Sequence, residues 1–504
     1  MKSSLSKLTA RALTWRFLDF IAVKVVFLLR LLVLASLLTP EDFGLLAIGL
    51  SAVTLVLTLS DFGVEPALIQ RQDVRQQDYD AGWTLVVARA TFVTLVILLV
   101  AHWIADLFGE PRATPIIQAL AIGVFIDSLA SVKLTTLNRN LQFRSLALLN
   151  TTQAVVTTVV AILAAPVYGV WALVAGSLAG TLAFTLASYV AAPYRPRLRW
   201  HRASAGSLLN YGRWIFLTGV IVMLANTAMR AIISRHLGVA ELGIFYLASR
   251  LAFLPYMAIV EVIESVTFPL YARLQDSVQK TRELFRTALL GTATLLIPAC
   301  LLLAALAPGL IEDILGERWA GTTTAIQILA LASPLGLLGY AIVPCLKGLG
   351  LPSRVSLLQV INSGLGLALV WLLVREYALL GAVTGILIAT LLSQPLAIVF
   401  TRKFLRQPYA GLWWPLLMVT LVSLLGALLT RWLEGMLPGS GGFVVACCAG
   451  GITTLGLIFI ADRVLNLGIL YSLARHFPRI ALFLRIETSE NPATGISKPG
   501  KESI

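Results

Sequence analysis

Apolar stretches long enough to cross a bilayer follow one another along almost the whole chain, separated by short polar turns. A helical crossing needs about 20 mostly apolar residues. In hydrocarbon, with no water to satisfy backbone polar groups, such stretches are read as helices. Counted this way, the pattern predicts crossings near 13–38, 43–68, 81–105, 114–137, 146–166, 169–192, 208–234, 243–269, 284–308, 322–346, 354–374, 378–401, 412–433 and 442–462. The expected fold class is an all-α integral membrane protein with about 14 transmembrane helices. Composition agrees: 58% hydrophobic and 13% charged residues leave too little polar surface for a water-soluble globule. The first stretch is long and interrupted by Arg16, Asp19, Lys24 and Arg30, unlike a cleavable signal peptide.

Charge then orients the spans. Lys and Arg crowd alternate loops, with Arg71, Arg75, Arg139, Arg144, Arg273, Lys280, Arg402 and Lys403 on one side. The other side carries acids such as Glu41, Asp42, Asp106, Glu110, Glu312 and Asp313. By the positive-inside rule both termini are expected in the cytoplasm. The net charge of +14 is thus scattered over inside loops, where it faces an anionic leaflet. No basic domain gathers it, so nucleic acid is not an expected partner.

The chain also repeats itself. Leu38-Thr39-Pro40-Glu41-Asp42-Phe43-Gly44 echoes Leu237-Gly238-Val239-Ala240-Glu241-Leu242-Gly243, each an outside turn with an acid before a Gly at a helix start. Gln72-Asp73 is echoed by Gln275-Asp276, and the run 136–153 aligns without gaps to 345–362. Two pseudo-symmetric six-helix lobes are expected: an N-lobe at 1–203 and a C-lobe at 204–406. Two extra C-terminal helices follow at 407–463, then an interfacial amphipathic helix at 464–486 and a disordered cytoplasmic tail at 487–504. Copies separated by an even number of spans share one topology, which is typical of transporters with a site between the lobes.

Charges inside a bilayer cost roughly 2.5–3.5 kcal/mol each on insertion scales, so each needs a reason. Here they concentrate on the first two helices of each lobe: Asp19, Lys24, Arg30, Asp61, Glu65, Arg230, Arg250, Glu261 and Glu264. Arg250, Met257, Glu261 and Glu264 fall on one stripe if their helix is straight, as do Asp19 and Arg30. Arg30 and Arg230 occupy matched places in the repeat, facing one another across a cavity. Lys24, Arg30, Arg230 and Arg250 are the candidate substrate-binding residues. Guanidinium groups offer forked donors and stay charged, which suits phosphate. Asp61, Glu261 and Glu264 are candidates for ion coupling, to H+ or Na+. A structural reading stands beside each: ion pairing within the bundle, or snorkelling to an interface.

Enzyme signatures are missing. His102, His201, His236 and His476 have no ligand spacing, Cys300, Cys345, Cys447 and Cys448 lie in apolar spans, and no nucleotide loop or metal motif occurs. No catalytic residue, metal or cofactor is expected.

The run from Leu37 to Asp73, with its Leu-Thr-Pro-Glu-Asp-Phe-Gly turn, Ser60-Asp61-Phe62-Gly63 and Ala67-Leu68-Ile69-Gln70-Arg71, resembles the Wzx-type polysaccharide transporter family. So does the loop Leu137-Asn138-Arg139-Asn140-Leu141-Gln142-Phe143-Arg144. That family sits in the multidrug/oligosaccharidyl-lipid/polysaccharide exporter superfamily, and the branch with the colanic acid exporter is most similar. The resemblance implies a V-shaped fold in a bacterial inner membrane. It also implies transfer of undecaprenyl-pyrophosphate-linked oligosaccharide to the periplasmic leaflet, beside a polysaccharide polymerase and export machinery. Rival readings are a small-molecule antiporter of the same superfamily and a membrane enzyme of glycan assembly.

Overall fold

The computed structural model describes residues 2–60, 76–140, 142–197, 213–406, 410–437 and 439–465. Asp61, Glu65, part of the basic linker between the lobes, most of the 464–486 segment and the whole 487–504 tail lie outside the described residues. The rest is helical, with no strand among the described residues. Among the described residues, sixteen α-helices follow in order. They are α1 (Lys2–Leu37), α2 (Pro40–Ser60), α3 (Gln76–Phe108), α4 (Ala113–Ser128), α5 (Leu134–Arg139), α6 (Phe143–Tyr168) and α7 (Val170–Ala191). Then come α8 (Arg213–Leu237), α9 (Val239–Ala252), α10 (Leu254–Arg273), α11 (Val278–Gly309), α12 (Ala320–Leu335) and α13 (Leu337–Gly348). The series ends with α14 (Pro352–Phe400), α15 (Ala410–Met436) and α16 (Ser440–Leu465).

The outer surface is the inverse of a soluble protein's. Leu163, Val167 and Val190 are 75%, 75% and 84% exposed. Such a contiguous apolar belt is stable only against hydrocarbon, so this is an all-α membrane protein. Eight described helices are long and apolar enough to span a membrane, or ten if each of two bent pairs is one span. The shortfall from the expected 14 has identifiable causes. Helix α14 has 49 residues, more than twice a bilayer core in length, and is interrupted at Ala378, whose φ of 49° and ψ of −135° are not helical. Each side of that break is long enough to cross alone. Helix α4 is a shorter apolar helix of 16 residues.

Three expected straight spans are broken. The 243–269 span bends by 43° between α9 and α10, and the 322–346 span by 47° between α12 and α13. The first break follows from Pro255 at the start of α10, which has no N–H to bond the carbonyl four residues back. The third, 114–137, divides into α4 and the short α5. The single stripe from Arg250 to Glu264 is thereby corrected: Arg250 ends α9, while Met257, Glu261 and Glu264 sit on α10.

Packing divides the helices into two groups. Helices α1 to α7 pack among themselves, α1 on α6, α2 on α3 and α4, α4 on α7, and α6 along α7. Helices α8 to α14 form the second group, with α8 on α14 and α11 touching α10, α12 and α13. Helices α15 and α16 pair and attach to α11. The groups meet chiefly where α2 meets α8 and α9.

That meeting is built on the echoed turns. Thr39 caps α2: its amide and hydroxyl donate to the Asp42 carboxylate at 3.0 and 2.8 Å, and its Oγ1 accepts from the Asp42 amide at 3.3 Å. The other Asp42 oxygen accepts from the Val170 amide at 2.8 Å, tying α2 to the α6–α7 turn. Gly44 lies so close to α9 that a Cβ there would overlap the Val239 carbonyl oxygen. Gly243 reciprocally abuts the Pro40 carbonyl. Pro40 corresponds to Val239 and Gly44 to Gly243 in the echo, so each turn presents the same pair to the other, as across a two-fold axis.

The same end is sealed by Phe43, whose ring stands edge-on to Trp319 at 5.3 Å, and by the Trp319 indole donating to the Ala35 carbonyl at 2.7 Å. A single apolar core there draws on both groups, including Leu31, Phe43, Phe245, Trp319 and Val383. At the opposite end the core splits. One part, around Tyr271, Phe285 and Ile342, belongs to α10–α15, and a small one at Leu137, Leu146 and Ala192 to α5–α7. The bundle is closed at the turn end and parted at the other. A further echo appears in the backbone. Gly169, between α6 and α7, has φ 53° and ψ −129°, nearly the values at Ala378. Tyr168 and Tyr377 precede the two breaks, which extend the register aligning 136–153 with 345–362.

Candidate functional site: an arginine cluster over an interlobe cavity

Where α1 and α10 part, a cavity of about 810 Å³ opens between the two helix groups. Asp19, Lys24, Phe27 and Arg30 of α1 line it, facing Glu261, Val262 and Ser265 of α10. Asn150, Gln153 and Thr157 of α6 and Ser177 and Thr181 of α7 complete its wall.

Arg30 is half-buried, its guanidinium 5.5 Å from the Phe27 ring centre one turn back. Arg250, at the end of α9, lies 5.0 Å over the ring of Tyr246. Arg230, on α8, reaches across to α2 and donates from Nη1 to Ser51 Oγ at 2.9 Å. Arg250 is within electrostatic reach of both Arg30 and Arg230, and Tyr246 shares the same neighbourhood. Of the three, only Arg30 stands in the cavity wall; Arg230 and Arg250 are not among its lining residues. None of the three forms an ion pair with a carboxylate among the described residues. Three cations held together in a low-dielectric interior repel one another, and an anion with several oxygens relieves that repulsion while using their forked donors.

Asp19 and Glu261 line the same cavity as Arg30 without pairing with it among the described residues. Asp19 accepts from Asn150 Nδ2 at 3.0 Å through one oxygen, while its buried Oδ1 has no partner. Glu261 is exposed to the cavity. Glu264 is not in the cavity wall; it pairs with Lys347 of α13 at 2.7 Å. Lys24 lines the cavity on the Asp19 side. Of the ion-coupling candidates, Glu261 faces the cavity, Glu264 is engaged in an ion pair, and Asp61 lies outside the described residues.

A search for charged residues finds the arginines but passes over Tyr246, Ser51 and Asn150, because uncharged polar residues are common in spans. Asn150 had one available signal, its place in the run aligned with 345–362. The same screen could not foresee the Lys347–Glu264 pair, because those residues lie 83 positions apart in the chain.

A two-group membrane bundle with a polar cavity between the groups is the architecture of a transporter. The chain matches the polysaccharide biosynthesis protein family over residues 33–324, more than half its length, and belongs to that family. It is 25% identical over 345 residues to the lipopolysaccharide biosynthesis protein WzxC of Escherichia coli (strain K12), covering 67% of this chain and 70% of that protein. With the succinoglycan biosynthesis transport protein ExoT of Rhizobium meliloti (strain 1021) it shares 24% identity over 319 residues, 63% of this chain and 65% of that one. Among solved structures, the lipid II flippase MurJ in an inward closed conformation superposes with a TM-score of 0.71 at 15% identity, covering 89% of this chain and 99% of that one. An inward-facing MATE family transporter superposes at 0.60 and 16% identity, covering 77% and 98%. The family match and these relatives bear out the resemblance read from Leu37 to Asp73.

Proposed function

We propose that this protein is a bacterial inner-membrane flippase that carries undecaprenyl-pyrophosphate-linked oligosaccharide from the cytoplasmic to the periplasmic leaflet. Both termini are cytoplasmic, so the sealed turn end faces the periplasm and the parted end the cytoplasm. The observation that carries the reading is a group of arginines without carboxylate partners among the described residues, one of which, Arg30, lines the interlobe cavity. Arg30, Arg230 and Arg250, with Lys24 nearer the cavity mouth, hold the pyrophosphate. The polyprenyl tail stays in lipid beside the helices. The two lobes, 1–203 and 204–406, are copies that rock about the α2–α9 contact and expose the cavity to each side in turn.

Residues Glu261 and Asp61 are the proposed carriers of a coupling H+ or Na+. Glu264 joins them only in a state that breaks its pair with Lys347. The protein moves its substrate without changing a covalent bond, and a polysaccharide polymerase acts on the delivered units.

Mass spectrometry of polyprenyl-linked glycans in a deletion strain tests the reading. Complete repeat units trapped on undecaprenyl pyrophosphate, shielded from added glycosidase, with surface polysaccharide lost, are expected. Normal lipid-linked pools would refute it in favour of a small-molecule antiporter. Complete units exposed outside would refute it in favour of a polymerising enzyme.

A further inference from the structure

A second cavity, of about 640 Å³, lies wholly within the first helix group, among α2 to α7. Asn150, Gln153, Ser177 and Thr181 line both cavities, so the two adjoin along one polar wall. Hydrocarbon-facing helices have no use for such a lining. Trp83, Arg89 and Asp127 add an indole, a guanidinium and a carboxylate to it.

The hydrogen-bond pattern says what is unmet. Several hydroxyls nearby are already committed: Ser131 donates to the Ala192 carbonyl at 2.7 Å and Thr135 to that of Val132 at 2.7 Å. By contrast, the side chains of Asp127, Gln153, Ser177 and Thr181 bond no described residue. Asp127 is exposed, although α4 is packed between α2, α3 and α7, because it opens into the cavity. An interior carboxylate and three neutral polar groups thus converge on open space from three helices.

From this arrangement we infer that the inner cavity is a carbohydrate subsite, which receives uncharged sugar units while the arginine cluster holds the pyrophosphate next door. The inference rests on the flippase reading and extends it. Sugar hydroxyls both donate and accept, so they match a carboxylate, an amide and two hydroxyls together, and an aromatic ring suits the apolar face of a pyranose. Size decides against a bare ion. Cation sites gather about six to eight oxygens at 2.3–2.6 Å, whereas this volume falls in the range of small-molecule pockets, roughly 300–1,000 Å³.

The test measures binding of two lipids to the full-length protein in nanodiscs. They are sugar-free undecaprenyl pyrophosphate and the undecaprenyl-pyrophosphate-linked oligosaccharide purified from the deletion strain. Two variants are compared with the unsubstituted chain: Asp127→Asn, which keeps shape and removes charge, and Val124→Trp, which fills the cavity. The glycosylated lipid is expected to bind the unsubstituted protein more tightly than the sugar-free one. Each variant should lose about tenfold in affinity for the glycosylated lipid and keep its affinity for the sugar-free lipid within about twofold. Because Asp127→Asn is isosteric, it decides the matter even if Val124→Trp does not fold. Equal affinity of both lipids for the unsubstituted protein would overturn the subsite and leave the flippase reading intact. Binding of neither lipid would overturn both. An Asp127→Asn variant that loses ion-dependent transport but keeps full glycan affinity would make the cavity an ion site and overturn the proposal.

Discussion

Replacing Gly44 or Gly243 by alanine should open the sealed end. A Cβ at Gly44 would fall 2.8 Å from Val239 Cγ2 as well as on the Val239 carbonyl oxygen. One at Gly243 would fall 2.9 Å from the Gly44 amide nitrogen and on the Pro40 carbonyl oxygen. Non-bonded atoms settle near 3.5–4.0 Å, so the backbones of α2 and α9 would have to part by on the order of 1 Å. Backbone on both sides leaves no flexible side chain to yield. Overpacking of this kind costs typically about 1–3 kcal/mol, here charged only to the state in which the two turns touch. That is a shift of roughly 5- to 150-fold toward the state open at this end. The assay is labelling by a membrane-impermeant maleimide added outside, in a background with Cys300, Cys345, Cys447 and Cys448 replaced. The reporter is Ala47→Cys, fully buried on α2 three residues beyond Gly44. Ala293→Cys, equally buried away from the turns, controls for general unfolding. Either alanine substitution should raise Ala47→Cys labelling and leave Ala293→Cys unchanged. Unaltered labelling at Ala47→Cys in a folded Gly44→Ala, Gly243→Ala double variant would refute the gate.

The strained break in α14 gives a second test. Ala378 holds a conformation that glycine adopts freely, so Ala378→Gly should raise chemical stability by about 1 kcal/mol, while Gly169→Ala at the matching turn should lower it. Glu264→Lys and Lys347→Glu should each lower the melting temperature, and the double exchange should recover most of the loss, since their pair spans α10 and α13. Glu110 and Arg112 set an acid limit on the turn-end loop. The hydrogen bond and charge of Arg112 hold the Glu110 carboxyl below its usual value, so its contribution is present at neutral pH and is lost as pH falls below about 4. Arg112 is exposed and water screens the pair from its side, so the effect is small. Arg112→Ala should flatten the fall in melting temperature as pH drops below about 4, and an unchanged slope there would count against the linkage.

Much of the architecture was legible in the chain because a membrane imposes few choices. Apolar runs must be helices, and the turn Leu38–Gly44 could be matched to Leu237–Gly243 by eye. What the match could not convey is that the two turns touch one another, since a repeat in sequence carries no distance. Breaks in the helices were harder to read. Pro255 did mark one, but Pro269, Pro298 and Pro344 lie inside helices that continue, so proline alone does not locate a bend. The arginines stood out because charge in a span is rare. Their mutual arrangement did not, because it depends on Arg250 sitting before the bend at Phe253 rather than on a straight stripe with Glu261. Asp127 stands out in the sequence as an acid within a span, a weaker candidate for ion coupling beside Asp61, but its place beside Gln153 comes from a cavity assembled by helices far apart in sequence.

The central claim is that the arginine cluster carries the lipid pyrophosphate, and the direct measurement is polysaccharide export by an Arg30→Gln, Arg230→Gln double variant at matched protein level. Each charge-assisted hydrogen bond to an anion is worth about 1.5–3 kcal/mol, so losing one from each arginine should slow export at least about a hundredfold. The account predicts lipid-linked repeat units accumulating inside cells that still hold a normal amount of the protein. Full export from that double variant would contradict it.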